Sequence, residues 1–510
     1  MPSPLPSEVS PGVGFSGRDV EGSPDDLETA TSRAALLDLR GRRSGLVTLV
    51  GMGPGLRAAA ERLQAAGWRL DCRDAASSRH AAWADRRGVC ITSDDGDLPR
   101  ECGAVVVSAA VDDSHPLRQQ AASRGVPVVS YPELLAEWTH QQPSIAIAGT
   151  HGKSTTTSLL ALLLPSAGLC VGADFLDGSP SGRLGAADLP LLVEACEYRG
   201  HCLGLRPTTL CILNIEHDHP DAFADARAVH ATFRQFVEQL EPGGHVFREV
   251  SVSLPSSTAE PVTTFEAVTD VAARRAHVSL VGDAKRGWSL YVATDLVTSF
   301  TAPRLSPRLA PSLAAACAIA LREGLAATEF EPRLASWPGL RCRDERRPAG
   351  PLLWWCDYAH HPTAIAATLH DVRGEVGDRR VIAVFEPHQA SRLRTFFDDF
   401  ADTLRTADEV VIGPVFHARE PVDETAARAL TQDLAAAIGP HAVATGSWPE
   451  TTAALRQRLG SPDEAAAGRY TQTAAVVLLG AGVVHGPELD VVRRHWAAVS
   501  PPSPPTGRSH

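Results

Sequence analysis

Residues 145–164 read IAIAGTHGKSTTTSLLALLL, an apolar strand followed by a glycine-bearing turn, Gly-Lys-Ser and an apolar helix. That order aims successive backbone N–H groups and a helix N-terminus at an anion. Lys153 then reaches the outer phosphates of a nucleoside triphosphate, and the Ser154 hydroxyl is placed to ligate Mg2+. The strict spacing G-x-x-x-x-G-K-[ST] is not met, because Ile147 stands where the first glycine belongs; the first glycine is Gly149, which shortens the loop. Of 48 basic residues only Lys153 and Lys285 are lysine, so a compact ammonium is kept at the centre of this motif while arginine serves almost everywhere else.

Two strand-like runs downstream end in polar clusters. Leu191 to Val193 leads to Glu194 and Glu197, and Leu210 to Leu213 leads to Asn214-Ile-Glu-His-Asp-His219. A carboxylate and a neutral imidazole at such positions suit a second Mg2+. A later block repeats the arrangement. Leu352 to Trp355 runs into Cys356-Asp357-Tyr-Ala-His360-His361-Pro-Thr363, with Thr363 expected to cap the next helix. Val381 to Phe385 runs into Glu386-Pro-His388, and a helix expected over Ser391 to Leu404 carries Arg392 and Arg394. Ile412 to Val415 leads to Phe416-His417-Ala-Arg419-Glu420. One polar strand end is ordinarily a cap or turn; several, following a phosphate loop, describe two walls of a cleft, since open parallel sheets bind ligands beyond their strands' carboxyl ends.

The elements that must position these groups alternate short apolar runs with amphipathic Ala/Leu/Arg stretches, the pattern of βαβ units and an α/β fold. A length of 510 residues suits several domains instead of one core. The expected boundaries are a mobile extension over 1–43, domains over 44–141, 142–334 and 335–498, and a tail over 499–510. Val250 to Ser306, rich in Val, Thr and Ser, reads as antiparallel strands appended to the middle domain. No apolar run approaches the ~20 residues of a membrane span, and no secretory signal opens the chain, so membrane attachment is not expected and a cytoplasmic location is. A net charge of −12 argues against a nucleic-acid-coating surface but leaves room for an anionic substrate in a local basic pocket. The ten cysteines show no C-x-x-C pair and read as free buried thiols.

AGTHGKSTTT, EACEYR followed by NIEHDHPD, DYAHHPTAI, FEPHQASRLR and VFHARE stand in the order and spacing of the Mur ligases, the ATP-dependent amide-forming enzymes of peptidoglycan precursor synthesis, and the chain resembles that family over about residues 44 to 495. VTLVGMGPG, VVVSAAVDDSHP and GVPVVSYPELLAEW look like its nucleotide-sugar domain. Within the family the chain is most similar to the alanine-adding type. The resemblance implies Rossmann-like first and third domains around a central ATPase-type domain, with ATP and Mg2+ as cofactors. It implies UDP-N-acetylmuramate and L-alanine as substrates and a monomer or weak dimer.

Carried over by motif position, Gly149, Thr150, His151, Gly152, Lys153, Ser154 and Thr155 would hold the phosphates, with Asn214, Arg343 and Asp357 also at the nucleotide. Ser154, Glu194 and His219 would ligate metal. Lys153, Glu194, His219, His360 and Arg392 would be catalytic, and Gly51, Gly53, Ser108, His360, His388 and Arg419 would touch the acceptor substrates. Three features depart from the family: a short GMGPG turn, Arg308-Leu-Ala-Pro-Ser312 where a His-Asn-x-x-Asn stretch is expected near adenine, and Gly339-Leu-Arg-Cys342-Arg343 one arginine short. These leave adenine recognition weaker or rebuilt. Two alternatives stay open at this point: a sister ligase that attaches a preformed peptide to the same sugar nucleotide, and a degenerate nucleotide-binding relative.

Overall fold

Runs such as Leu46–Val50 and Ser144–Ala148 are buried along almost their whole length, which requires sheets covered on both faces. The computed structural model describes residues 45–254, 260–283, 285–302, 304–418, 420–421, 423–460, 474–482, 484 and 486–497. The extension expected over 1–43, the tail expected over 499–510 and Arg419 lie outside the described residues. Among the described residues the strands form three sheets.

The first sheet contains β1 (Leu46–Val50), β2 (Arg69–Arg73), β3 (Ile91–Thr92), β4 (Cys102–Val107) and β5 (Val128–Ser130), all parallel, in the order β3-β2-β1-β4-β5. The chain reverses direction across the sheet between β1 and β4, which opens a crevice at their carboxyl ends. Gly51 follows β1 and Ser108 follows β4 at that point. Gly51 holds φ +83°, and a Cβ there would lie 2.9 Å from the Ser108 Cβ, so only glycine fits the turn into helix α1 (Pro54–Ala65).

The second sheet takes β6 (Ser144–Ala148), β7 (Gly168–Cys170), β8 (Gly182–Arg183), β9 (Leu191–Ala195), β10 (Thr209–Ile212), β11 (His245–Glu249), β12 (Val262–Val268), β13 (Val278–Asp283), β14 (Gly287–Val292) and β15 (Asp295–Phe300). Their order is β15-β14-β13-β12-β11-β10-β6-β9-β7-β8. Here β6 lies between β9 and β10, so the turn after β6 and the ends of its two neighbours converge. Helix α2 (Lys153–Leu163) packs on α3 (Ala310–Arg322), and both bury leucines and alanines, including Leu159, Leu160 and Leu313, against Ile145 and Ile147 of β6. Each such fully buried leucine contributes roughly 1.5–3 kcal/mol.

The third sheet, β16 (Glu345–Ala349), β17 (Leu352–Asp357), β18 (Arg380–Phe385), β19 (Glu409–Ile412), β20 (Ala442–Ala444) and β21 (Ala474–Leu479), has the order β16-β17-β21-β18-β19-β20 and is parallel except for the β16–β17 hairpin. Helix α4 (Pro362–Val376) follows β17; α5 (Ala390–Thr395) and α6 (Phe397–Leu404) follow β18.

Three local expectations are corrected. Within Val250 to Ser306, β12 and β13 run parallel to β11, and only the β13–β14 and β14–β15 pairings are antiparallel. Alternation of apolar and polar residues marks a strand but carries no information about its direction. The helix expected over Ser391 to Leu404 is broken at Phe396, whose ring packs 4.8 Å from that of His361 and 5.4 Å from that of His217. Helix α4 is capped by His361, whose Nδ1 accepts the Thr363 N–H at 3.4 Å, so Thr363 is the capped residue and not the cap.

Gly51→Ala should lower stability by about 1–2 kcal/mol, the cost of a side chain at positive φ with a steric overlap. A reduced urea midpoint checks this, and an unchanged midpoint would show that the β1–α1 turn does not need glycine.

Candidate active site between the second and third sheets

Gly149 and Gly152 give the turn after β6 its shape. Their φ angles are +137° and +84°, and added Cβ atoms would lie 3.0 Å from the Leu213 Cβ and 3.0 Å from the Ser312 Oγ. Asn214 pins the same turn from β10: its Oδ1 accepts the His151 N–H at 2.8 Å and its Nδ2 donates to the His151 carbonyl at 3.1 Å. The Thr150 hydroxyl accepts the Glu216 N–H at 2.9 Å. Asn214 thus spends its amide on the loop backbone.

Lys153 opens α2. Its Nζ donates to the Gly149 carbonyl at 2.5 Å, the Thr150 carbonyl at 3.3 Å and Glu197 Oε2 at 2.9 Å. Burial alone would pull the ammonium's pKa down, but the Glu197 carboxylate outweighs it and the net displacement is upward, so the charge is secure. Beside it, Glu194 Oε2 accepts the Ser154 hydroxyl at 3.0 Å, and Glu194 Oε1 accepts the Gly172 N–H at 2.6 Å. Burial pushes the Glu194 carboxyl up despite the Gly172 N–H and the nearby Arg343 charge. Ser154 and Glu194 are adjacent hard oxygen donors short of positive charge, which fits Mg2+.

Across the cleft, Arg392 is fully buried and joins the second and third sheets. Its Nε donates to Asp218 Oδ1 at 2.7 Å, while its two terminal nitrogens reach His388 Nδ1 at 2.7 Å and His219 Nδ1 at 3.3 Å. Against the upward pull of burial, the guanidinium holds the Asp218 carboxyl well below the usual carboxylate range. Arginine offers only donors, so both histidines must present lone pairs to it at Nδ1 and, when neutral, carry their protons at Nε2. For His219 to ligate metal through Nε2 it must give up the 3.3 Å contact with Arg392. The backbone of His219 is in the left-handed region at φ 55°, with its N–H held by Asp218 Oδ1 at 2.6 Å.

His360 is in the opposite tautomer. Its Nδ1 lies 2.8 Å from the Tyr358 carbonyl, to which it must donate, so Nε2 is left as a lone pair. Burial, aided by Arg392 and His388, holds this imidazole well below its ordinary pKa. The His360 ring lies 5.2 Å from that of His388.

A cavity of about 720 Å³ separates these walls, lined by the 150–155 turn, Glu194, Asn214 and His219 on one side and by Arg343, Asp357, His360 and His388 on the other. The structure thus brings Thr150, His151, Gly152, Lys153, Ser154, Thr155, Glu194, Asn214, His219, Arg343, Asp357, His360 and His388 together around one cavity. Gly149 shapes the same turn, and Arg392 stands behind the wall. Gly51, Gly53 and Ser108 do not line it; they stay at the crevice of the first sheet, whose Ala110 does reach the cavity. Asp357 accepts the N–H groups of Asp344 at 2.7 Å and Ala359 at 2.9 Å and is paired with Arg308, which also lies 3.6 Å from Asp344 and 3.7 Å from Asp371.

Glu197, Asp218 and Arg308 are residues of this site that sequence reasoning missed. Glu197 had a signal, standing three residues past Glu194 at the same strand end; the ion-pair partners of Asp218 and Arg308 in the third-sheet lobe are more than 30 residues away in the chain and gave none.

Residues 48–143 match the family model described as Mur ligase family, catalytic domain, and residues 342–482 that described as Mur ligase, glutamate ligase domain. A UDP-N-acetylmuramate–L-alanine ligase of Desulfitobacterium hafniense is 31% identical over 390 residues, 75% of this chain and 84% of that protein. In fold, the chain is similar to a UDP-N-acetylmuramate–alanine ligase of Thermotoga maritima, with TM-score 0.67, 18% identity and coverage of 88% of this chain and 98% of that one. A murein peptide ligase of Psychrobacter arcticus gives TM-score 0.65 and 20% identity over 89% of this chain and 99% of that one.

Arg392→Ala should cost about 3–5 kcal/mol, because the Asp218 carboxylate is then buried without its partner. Adding Asp218→Asn should recover part of that loss. Equal thermal midpoints for the wild type and Arg392→Ala would contradict the buried pairing.

Proposed function

The chain belongs to the Mur ligase family, and from that premise we propose that it joins L-alanine to the carboxylate of UDP-N-acetylmuramate, coupled to cleavage of ATP to ADP and phosphate. The observation that carries this reading is the cavity itself: a phosphate loop with a half-buried ammonium faces a histidine-rich wall from a separate sheet. The alanine-adding relative, similar over most of its length, supports the same substrates.

In the proposed reaction a muramoyl carboxylate oxygen attacks the γ-phosphorus, the bond to the bridging oxygen of ADP breaks, and an acyl phosphate forms. The amine of L-alanine then attacks the acyl carbon, the carbon–oxygen bond to phosphate breaks, and the amine proton is lost. Both partners in the first step are anions. Lys153, freed from Glu197 by an incoming phosphate, would supply fixed positive charge where they meet. Gly149 to Thr155 would cradle the phosphates through backbone N–H groups, with Asn214 ordering that turn.

Ser154 and Glu194, with His219 once it leaves Arg392, would hold Mg2+, which when bound supplies further positive charge between the reacting anions. Neutral His360 offers an Nε2 lone pair to the alanine ammonium without repelling it. Arg392 would act through its neighbours, fixing His388 and His219. Arg343, whose guanidinium lies 4.0 Å over the Tyr358 ring, would act at the nucleotide.

The same reading assigns nucleotide-sugar binding to 44–141, where Gly51, Gly53 and Ser108 border the first sheet's crevice, ATP binding to 142–334, and amino-acid recognition to 335–498. It also assigns a role at the acceptor to His388 and Arg419, a cytoplasmic location, and a monomeric or weakly dimeric state. Among the described residues no helix is long and apolar enough to cross a membrane.

Phosphate release is measured from purified protein with ATP, Mg2+ and UDP-N-acetylmuramate, adding either L-alanine or the tripeptide of the peptide-adding ligases. Release dependent on L-alanine is the expected result. Release only with tripeptide would replace it with the peptide-ligase reading, and silence with nucleotide still bound would leave a nucleotide-binding protein. Lys153→Ala should reduce turnover by on the order of 1,000-fold with an unchanged circular dichroism spectrum; unchanged turnover would contradict its role.

A further inference from the structure

His151, Glu216 and His361 form a second cluster on the cavity wall, apart from Ser154 and Glu194 and outside the roles proposed above for the carboxylates. The three come from different places: the phosphate turn after β6, the loop after β10, and the cap of α4 under the third sheet. One ligand atom from each lies within 4.8 Å of the others. His151 Nε2 is 3.4 Å from Glu216 Oε2, and His361 Nδ1 is 3.9 Å from the same oxygen.

Counting protons and lone pairs shows what this cluster lacks. His361 Nε2 lies 3.1 Å from the His217 carbonyl, which can only accept, so the ring's proton is at Nε2 and Nδ1 is a lone pair. That lone pair faces a carboxylate oxygen, another acceptor, and its one donor is the long capping bond from the Thr363 N–H at 3.4 Å. His151 Nε2 is buried, and its 3.4 Å contact with Glu216 Oε2 is long for a hydrogen bond. The cluster therefore converges two imidazole nitrogens and one carboxylate oxygen on one point while holding them to one another by long contacts.

We propose that His151, Glu216 and His361 bind a borderline transition-metal ion, Zn2+ above all, which ties the phosphate turn to the third-sheet lobe. Ligand atoms around a tetrahedral Zn2+ at bonds of about 2.0–2.1 Å are roughly 3.3 Å apart, so the 3.4 Å pair already fits, the 3.9 Å pair closes by about 0.6 Å and the third by about 1.5 Å at most. Imidazole suits such an ion, whereas Mg2+ prefers the all-oxygen environment that Ser154 and Glu194 offer. The orientation of His361 is fixed in the manner of a metal ligand, its other nitrogen bonded to a backbone carbonyl and its ring 4.8 Å from that of Phe396 in a T-shaped contact. The proposal does not depend on which amino acid, or whether any, is ligated.

The test uses the full chain, stripped with chelator, loaded with Zn2+ and dialysed against excess Mg2+. One equivalent of Zn2+ should remain, and its X-ray absorption spectrum should show two imidazole nitrogens and no sulfur. Glu216→Gln and His361→Asn, the latter keeping a capping side chain, should each weaken Zn2+ binding about tenfold or more. Loss of all Zn2+ to Mg2+, a sulfur-containing shell, or wild-type affinity in either folded variant would overturn the proposal. If either variant fails to fold, the wild-type spectrum still decides.

Discussion

A half-buried ammonium sets the terms for this cleft. Lys153 is held by two backbone carbonyls of its own turn and by both oxygens of Glu197, and nearly every other polar group nearby is arranged with respect to that charge. Two glycines let that turn pack closely against Leu213, Asn214 and Ser312, and Asn214 fixes the loop without contributing a charge. Glu197 neutralises the lysine while no anion is bound, which lets the charge be buried at all. An anion entering the turn would exchange one partner of the lysine for another.

The second lobe is joined to that centre by a different pair. Arg392 spans from the third sheet to Asp218, and because a guanidinium can only donate, it dictates the tautomers of His388 and His219 as well as their positions. His360, bonded to a carbonyl instead, takes the other tautomer. Neighbouring imidazoles thereby offer opposite functions, N–H donors at two and an acceptor at the third, from residues that are chemically identical. Arg308 makes a second joint between the lobes through Asp344, Asp357 and Asp371, in the stretch where the family resemblance implied side-chain amides.

The α/β class, the strands that carry the site and the phosphate turn were legible because each is written locally: buried parallel strands are continuous apolar runs, and the turn combines glycine, lysine and a helix start in seven residues. Strand direction was not, since β12 and β13 show the same alternation whichever way they run. Nor was the break at Phe396, because it comes from rings supplied by His217 and His361, far away in the chain. The same holds for Asp218. As a letter in NIEHDHPD it is one acid among several, and only packing shows that it is the partner of Arg392. Asn214 and Asp357 were legible as site positions, but their side chains serve the loop and the inter-lobe joint.

In the proposed reaction a carboxylate and a triphosphate, both anions, meet over Lys153. UDP-N-acetylmuramate whose carboxylate is enriched in oxygen-18 can be turned over with ATP and L-alanine. One labelled oxygen should appear in the phosphate released. Phosphate free of label would mean that the carboxylate never attacked the γ-phosphorus.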